Sequence, residues 1–182
     1  MFKILSSDKF ITSSWKNGGG ITHEIARSHS GDNWVWRISI AEVSTDGPFS
    51  RFDGMSRILT VIEGKGVDLI TPHGVIAALP LKPVAFSGDM DISSTLVDGK
   101  IKDLNIIFDL NKITAEVNLL RGPLIKETDA DKFGFLALEG DVFVGSQLLK
   151  QGDFALGSNS SLNLNTGSYG MWVSLSDKLS MV

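Results

Sequence analysis

Three pairs of polar residues stand two apart in stretches of the chain that otherwise alternate: Thr22 with Glu24, Arg37 with Ser39, and Asp103 with Asn105. A spacing of two puts both members of a pair on one side of an extended strand. A further arginine, Arg57, opens another such stretch. If those sides meet in one interior, Glu24, Arg37, Arg57, Asp103 and Asn105 form a polar pocket. The chemistry would be recognition of an anion, because an arginine grips a carboxylate through two parallel hydrogen bonds. Two other readings stay open: the polar faces point to water, as on many half-buried sheets, or the charges form a buried network that satisfies only itself.

Other site chemistries have little to build on. There is no cysteine, which excludes disulfides and thiolate catalysis. The histidines are His23, His29 and His73. No two share adjacent inward positions: His73 sits in a Pro-His-Gly turn, His29 lies beside a Gly-Asp turn, and His23 falls on a strand face with Ile21 and Ile25. That is too few ligands for a metal, so none is expected, and no cofactor either. No serine stands in a Gly-X-Ser-X-Gly elbow, and no Gly-Lys-Ser/Thr follows Gly18-Gly19-Gly20, so that run is not a Walker loop.

The elements that must carry these residues read as β. Trp15-Lys16-Asn17-Gly18-Gly19-Gly20 is a specialised turn, in which glycines take positive φ or let the backbone approach a neighbour. It delivers Lys16 and Asn17 to the start of a strand at Ile21–Arg27. Ser30-Gly31-Asp32-Asn33 then connects to a strand at Trp34–Glu42, with Trp34, Trp36, Ile38 and Ile40 on one face. Asp46-Gly47-Pro48 is strong turn chemistry, yet Phe49 and Phe52 follow, and these should fold back or line a cavity. Short β-branched runs bounded by Gly, Asp, Asn or Pro recur to the end of the chain, from Arg57–Ile62 to Gly170–Leu175. Thr128-Asp129-Ala130-Asp131 suits a short helical turn, and no long helix is expected.

The chain echoes itself. Leu59-Thr60-Val61-Ile62-Glu63-Gly64 parallels Phe135-Leu136-Ala137-Leu138-Glu139-Gly140, and Val84-Ala85-Phe86-Ser87-Gly88 parallels Asp153-Phe154-Ala155-Leu156-Gly157. An echo that keeps its order over several strands points to two copies of one β unit. The boundaries expected are 1–110 for a barrel carrying the site and 111–182 for a supporting barrel, packed as one compact unit. The 182 residues, 42% hydrophobic and 21% charged with a net charge of −4, fit such a globular chain. With no basic run, nucleic acid is not an expected partner. Apolar runs are strand-sized, so no membrane partner is expected, and the location expected is the cytoplasm.

Several blocks together resemble the HutD/Ves family: Trp15 to Ala26, Trp36-Arg37-Ile38-Ser39-Ile40-Ala41, Asp46-Gly47-Pro48-Phe49-Ser50-Arg51-Phe52 with Arg57, Phe86-Ser87-Gly88-Asp89, and Asp98-Gly99 with Asp103-Leu104-Asn105. The resemblance implies an all-β duplicated cupin, two jelly-roll-like barrels in one chain, and allows a homodimer. It also implies a link to histidine utilisation or stress responses, no established enzymatic activity, and a pathway intermediate such as formylglutamate as ligand. The paired histidines of metal-binding cupins are missing. Where the family often continues after Asn105 with arginine, this chain has Ile106-Ile107-Phe108, so the ligand can differ in this branch.

The function expected is therefore metal-free binding of a small anionic metabolite, in a sensing or regulatory role. Arg37, Arg57 and Lys16 supply positive charge. Glu24, Asp103 and Asn105 hold those cations in place and read donors on the ligand. Asn17 and Ser39 lie beside them, and Trp15, Phe49 and Phe52 form the walls. Two alternatives are an enzyme using Glu24 or Asp103 as general acid/base, and a non-catalytic interaction scaffold.

Overall fold

The structure is a computed structural model that describes residues 2–29, 33–127 and 131–178. Within them the regular structure is β, apart from one 3-10 turn at Ser7–Lys9. The strands are β1 (Phe2–Leu5), β2 (Ile11–Ser14), β3 (Gly20–Arg27), β4 (Trp36–Val43), β5 (Gly47–Pro48), β6 (Ser56–Glu63), β7 (Val67–Thr71), β8 (Gly74–Ala78), β9 (Val84–Ser87), β10 (Ser93–Leu96) and β11 (Ile101–Phe108). They continue with β12 (Ile113–Arg121), β13 (Leu124–Glu127), β14 (Lys132–Glu139), β15 (Val142–Val144), β16 (Gln147–Leu149), β17 (Phe154–Gly157), β18 (Ser161–Leu164) and β19 (Tyr169–Asp177). The expected connection at Ser30–Asn33 and the helical turn at Thr128–Asp131 fall largely outside the described residues.

The chain forms two units, Ile11–Asn111 and Met1–Phe10 with Lys112–Val182. In the first, the sheets run β2-β3-β4-β11-β6-β9 and β5-β10-β7-β8; in the second, β1-β17-β14-β19-β12 and β13-β18-β15-β16. Eight consecutive strands, β4 to β11, therefore recur in the same order and pairing as β12 to β19. This is the duplication that the sequence echo anticipates, and each copy is an eight-stranded jelly roll.

One boundary differs from expectation. The first ten residues belong with the C-terminal copy, because β1 pairs with β17, Phe2 opposite Gly157 and Leu5 opposite Phe154. Ser7 N also donates to Asp153 Oδ1 at 2.9 Å. The apolar residues Phe2 and Ile4 pack, partly buried, on the core of that copy, so the segment goes where its apolar side chains find cover.

The middle strands β6 and β11 are buried on both faces. They therefore read as near-continuous apolar runs rather than as clean alternation. One face of the β4-β11-β6 sheet supplies Ala41, Val43, Leu59, Val61 and Ile101 to the core, against Val67, Leu69 and Ala78 of the other sheet. By the pleat, Arg37, Ser39, Arg57, Asp103 and Asn105 are on that same inner face.

Candidate functional site

Strand register sets the polar residues in rows. Arg37 lies opposite Ile107, Ile107 opposite Arg57, and Arg57 opposite Phe86. In the next row Ser39 lies opposite Asn105 and Asn105 opposite Leu59; in the row after it Ala41, Asp103 and Val61 line up. Neighbouring strands are about 4.8 Å apart, so Arg37 and Arg57 stand roughly 10 Å apart with one apolar residue between them. That leaves room for a planar anion between two cations.

A cavity of about 60 Å³ opens over these rows, and its lining includes Arg37, Arg57, Ser39, Asn105, Phe49 and Phe52 as well as Trp15, Thr22 and Ser50. At roughly 10–15 Å³ for a single water, it takes a few waters or the head group of a small acid. Larger hollows occur, one of about 690 Å³ beside Pro123 and Asn165 and one of about 260 Å³ beside Gly18 and Lys100. Neither has a buried, unpartnered polar atom on its lining residues, whereas the smaller cavity has two guanidinium groups carrying such atoms.

Arg57 is 5% exposed. Its Nη2 donates to Asn105 Oδ1 at 2.8 Å and its Nη1 to the Ser50 carbonyl at 3.2 Å. Three rings surround it, Phe49, Phe52 and Phe86, at 5.1–5.4 Å from their centroids. Burial pushes its pKa down to about 10, against the pull of Asp103 and with a further push from Arg37. It stays charged at neutral pH. Arg37 is held between Trp34 at 5.3 Å and Phe52 at 5.0 Å. Its Nε is buried with no hydrogen-bond partner, and no hydrogen bond or ion pair engages it among the described residues. Burial lowers its pKa, Glu24 counteracts this, and Arg27 adds to it.

Beneath them runs a relay. Asn105 Nδ2 donates to Asp103 Oδ1 while Asn105 Oδ1 serves Arg57. Asp103 is fully buried and its Oδ2 has no hydrogen-bond partner among the described residues. Burial raises its pKa to about 7, and Arg57 pulls the other way.

The remaining expected site residues are placed as follows. Phe49, Phe52 and Trp15 form walls, and Trp15 is fixed by a 2.8 Å hydrogen bond from Nε1 to Thr22 Oγ1. Glu24 does not line the cavity. A register shift between Glu24 and Ala26 brings Arg27 opposite Arg37, and Arg27 takes both oxygens of Glu24. Asp103 lies below the cavity instead of lining it, in the row of Ala41 and Val61. Lys16 is exposed in the glycine turn, and Asn17 Oδ1 caps Gly19 N at 3.0 Å, so neither lines the cavity. The turn needs its glycines: Gly18 has φ +71°, and a Cβ on Gly20 would lie 2.5 Å from the Glu42 carbonyl and 3.0 Å from the Trp15 ring. Residues that sequence reasoning did not assign to the site are Trp34, Phe86 and Ile107. Trp34 stands ahead of β4 rather than in it, and its ring turns to Arg37.

The donor set suits an anion. Two guanidinium groups and no imidazole face the cavity, which is wrong for a divalent cation. His23 is engaged elsewhere, with Thr12 Oγ1 at 2.9 Å and Glu42 Oε1 at 3.1 Å. Among its described residues the second copy has nothing comparable. By the same register its counterparts of Arg57, Asn105 and Asp103 are Phe133, Trp172 and Gly170. The first two stack with centroids 5.1 Å apart, and the Phe135 ring fills the space a Cβ on Gly170 would need.

The sequence profile of the HutD family matches residues 7–178. The chain belongs to the HutD family. HutD of Pseudomonas fluorescens, solved in a formate condition, superposes with a TM-score of 0.86 at 29% identity, covering 98% of this chain and all of that one. Protein Ves of Escherichia fergusonii is 33% identical over 81% of this chain and 75% of its own length. An uncharacterised 21.2 kDa protein in the hutC 3' region of Pseudomonas putida is 37% identical over 66% of this chain, but the match spans only 65% of that relative. The fold is also that of a cupin 2 barrel protein from Leptotrichia buccalis, with a TM-score of 0.59 at 12% identity and coverage of 97% and 96%. The HutD-family chain is thus a duplicated cupin, and no helix among its described residues is long and apolar enough to cross a membrane.

Proposed function

We propose that this chain binds a small carboxylate metabolite, such as formylglutamate, in its N-terminal barrel, and that binding serves sensing or regulation. The observation that carries the reading is Arg37: a guanidinium held between Trp34 and Phe52, at the wall of a cavity, with a buried Nε that nothing in the described chain engages. Arg37 is half-buried, and a desolvated guanidinium nitrogen with no acceptor is costly unless something supplies one. The cavity is too small to enclose a long acid, so one carboxylate enters between Arg37 and Arg57 and the rest of the molecule stays at the mouth near Trp15. The names HutD and hutC region, which belong to relatives, support a metabolite of histidine utilisation.

Calorimetric titration with formylglutamate, other amino-acid-derived acids and sugar acids tests the reading. At least one acid binds to the wild type, and Arg37→Ala abolishes that binding while the chain stays folded. Binding that is unchanged in Arg37→Ala, or no binding by any acid, overturns it.

A further inference from the structure

Asp103 cannot touch a ligand in the cavity, yet it is tied to the group that does. Asn105 separates them. An amide has one donor end and one acceptor end. With its nitrogen on Asp103 Oδ1, its oxygen is the end presented to Arg57. The carboxylate thereby fixes which way the amide faces, and through it where Arg57 points.

The surroundings of Asp103 are dry. Ala41 and Val61 flank it across the sheet. Val67 and Leu69 of β7 and Phe86 of β9 belong to the same core. The charged groups that face this region are Arg57 on β6 and Arg37 on β4, with Glu24 and Arg27 of β3 beyond Arg37. Arg57 is the cation that offsets the charge on Asp103.

We infer that Asp103 is a positioning residue of the anion site and takes up a proton from solvent when an anion binds between Arg37 and Arg57. This rests on the anion-binding reading above. A bound carboxylate offsets Arg57 from the cavity side, and Asp103 then keeps a negative charge in an apolar interior with less to balance it. A nearby like charge and a dry environment both favour the neutral acid. The free Oδ2 has no donor that the added proton would displace. The carboxyl lies close to neutrality before any anion arrives, so the change falls in an accessible pH range. Linkage makes the effect reciprocal: the protonated form binds the anion more tightly.

The test is calorimetric titration of the full chain with formylglutamate, and separately with acetate, at pH 6, 7 and 8 in buffers of different ionisation enthalpy. Both acids are fully ionised across that range, so any pH dependence belongs to the protein. Net uptake of part of a proton is expected near pH 7, with affinity falling about tenfold from pH 6 to pH 8. Asp103→Asn, checked for a cooperative melt, should show no uptake and a flat profile. If that variant fails to fold, infrared spectroscopy of the wild type replaces it, and a carboxylic-acid C=O band should grow as acid binds. Binding without proton uptake and without pH dependence overturns the role of Asp103 and leaves anion binding standing. Uptake that persists in a folded Asp103→Asn variant, or no new carboxylic-acid band, also overturns it. If neither acid binds at any pH, both readings fall.

Discussion

Glu24 accepts hydrogen bonds from Arg27 Nε at 2.6 Å and Arg27 Nη2 at 2.8 Å, so both of its oxygens are engaged away from Arg37. It still draws on Arg37 electrostatically, and a bound acid must compete with that pull. Glu24→Gln should therefore tighten formylglutamate binding by roughly threefold to tenfold, in line with a partly screened charge at short range. Calorimetry reads the change directly, and weaker binding would count against an anion site at Arg37.

The two site arginines should differ in what they do for stability. Arg37→Ala removes a cation that contacts two rings and forms no hydrogen bond, at a cost of roughly 1 kcal/mol. Arg57→Ala leaves Asn105 Oδ1 and Asp103 buried without their partner, at a cost of roughly 3–5 kcal/mol. Urea denaturation of both variants gives the order, and equal losses would contradict the distinction between an open and an engaged guanidinium.

Stability should depend on pH through Asp103. Its folded pKa, about 7, lies above the roughly 3.9 of an unfolded aspartate. Between those values the folded chain holds a proton that the unfolded chain has released. Stability from this group is thus fully present below about pH 4 and is lost as pH rises towards 7, by on the order of a few kcal/mol. Asp103→Asn should flatten that slope in urea titrations from pH 4.5 to 8. A slope that survives the substitution would assign it to another group.

In the glycine turn, Gly20→Ala should be the more damaging change, by roughly 1–3 kcal/mol, because its Cβ meets a backbone oxygen that cannot yield. Gly18→Ala meets nothing but takes a left-handed φ, costing about 1 kcal/mol. Trp15 fluorescence should change with Gly20→Ala and not with Gly18→Ala. The reverse order of stabilities would show that the Trp15 contact does not constrain the turn.

Much of the barrel was legible because alternation survives where one face is polar. The pairs Arg37 with Ser39 and Asp103 with Asn105 do share an inner face, as their spacing requires. Phe49 and Phe52 do fold back onto a cavity. What could not be read depends on local departures from the pleat. The register shift after Glu24 brings Arg27 to the side of Glu24, although their separation of three would put them on opposite faces. Trp34 continues the alternation on paper, but the strand begins at Trp36, which frees its ring for Arg37. The strand Ile11–Ser14 is exposed at all four positions, so it has no hydrophobic period to detect. The pairing of Phe2–Leu5 with Phe154–Gly157 joins segments far apart in sequence, and no local pattern encodes it.

That last pairing bears on how the chain is made. A ribosome releases Phe2–Leu5 before Phe154–Gly157, with the whole of Ile11–Asn111 in between. The jelly roll within Ile11–Asn111 can close while synthesis continues, since domains fold as units as they emerge. The second unit cannot gain this edge strand until Phe154–Gly157 has emerged. During that interval four residues carrying Phe2 and Ile4 stay in the nascent chain with their strand edge unpaired, a segment for chaperones to shield.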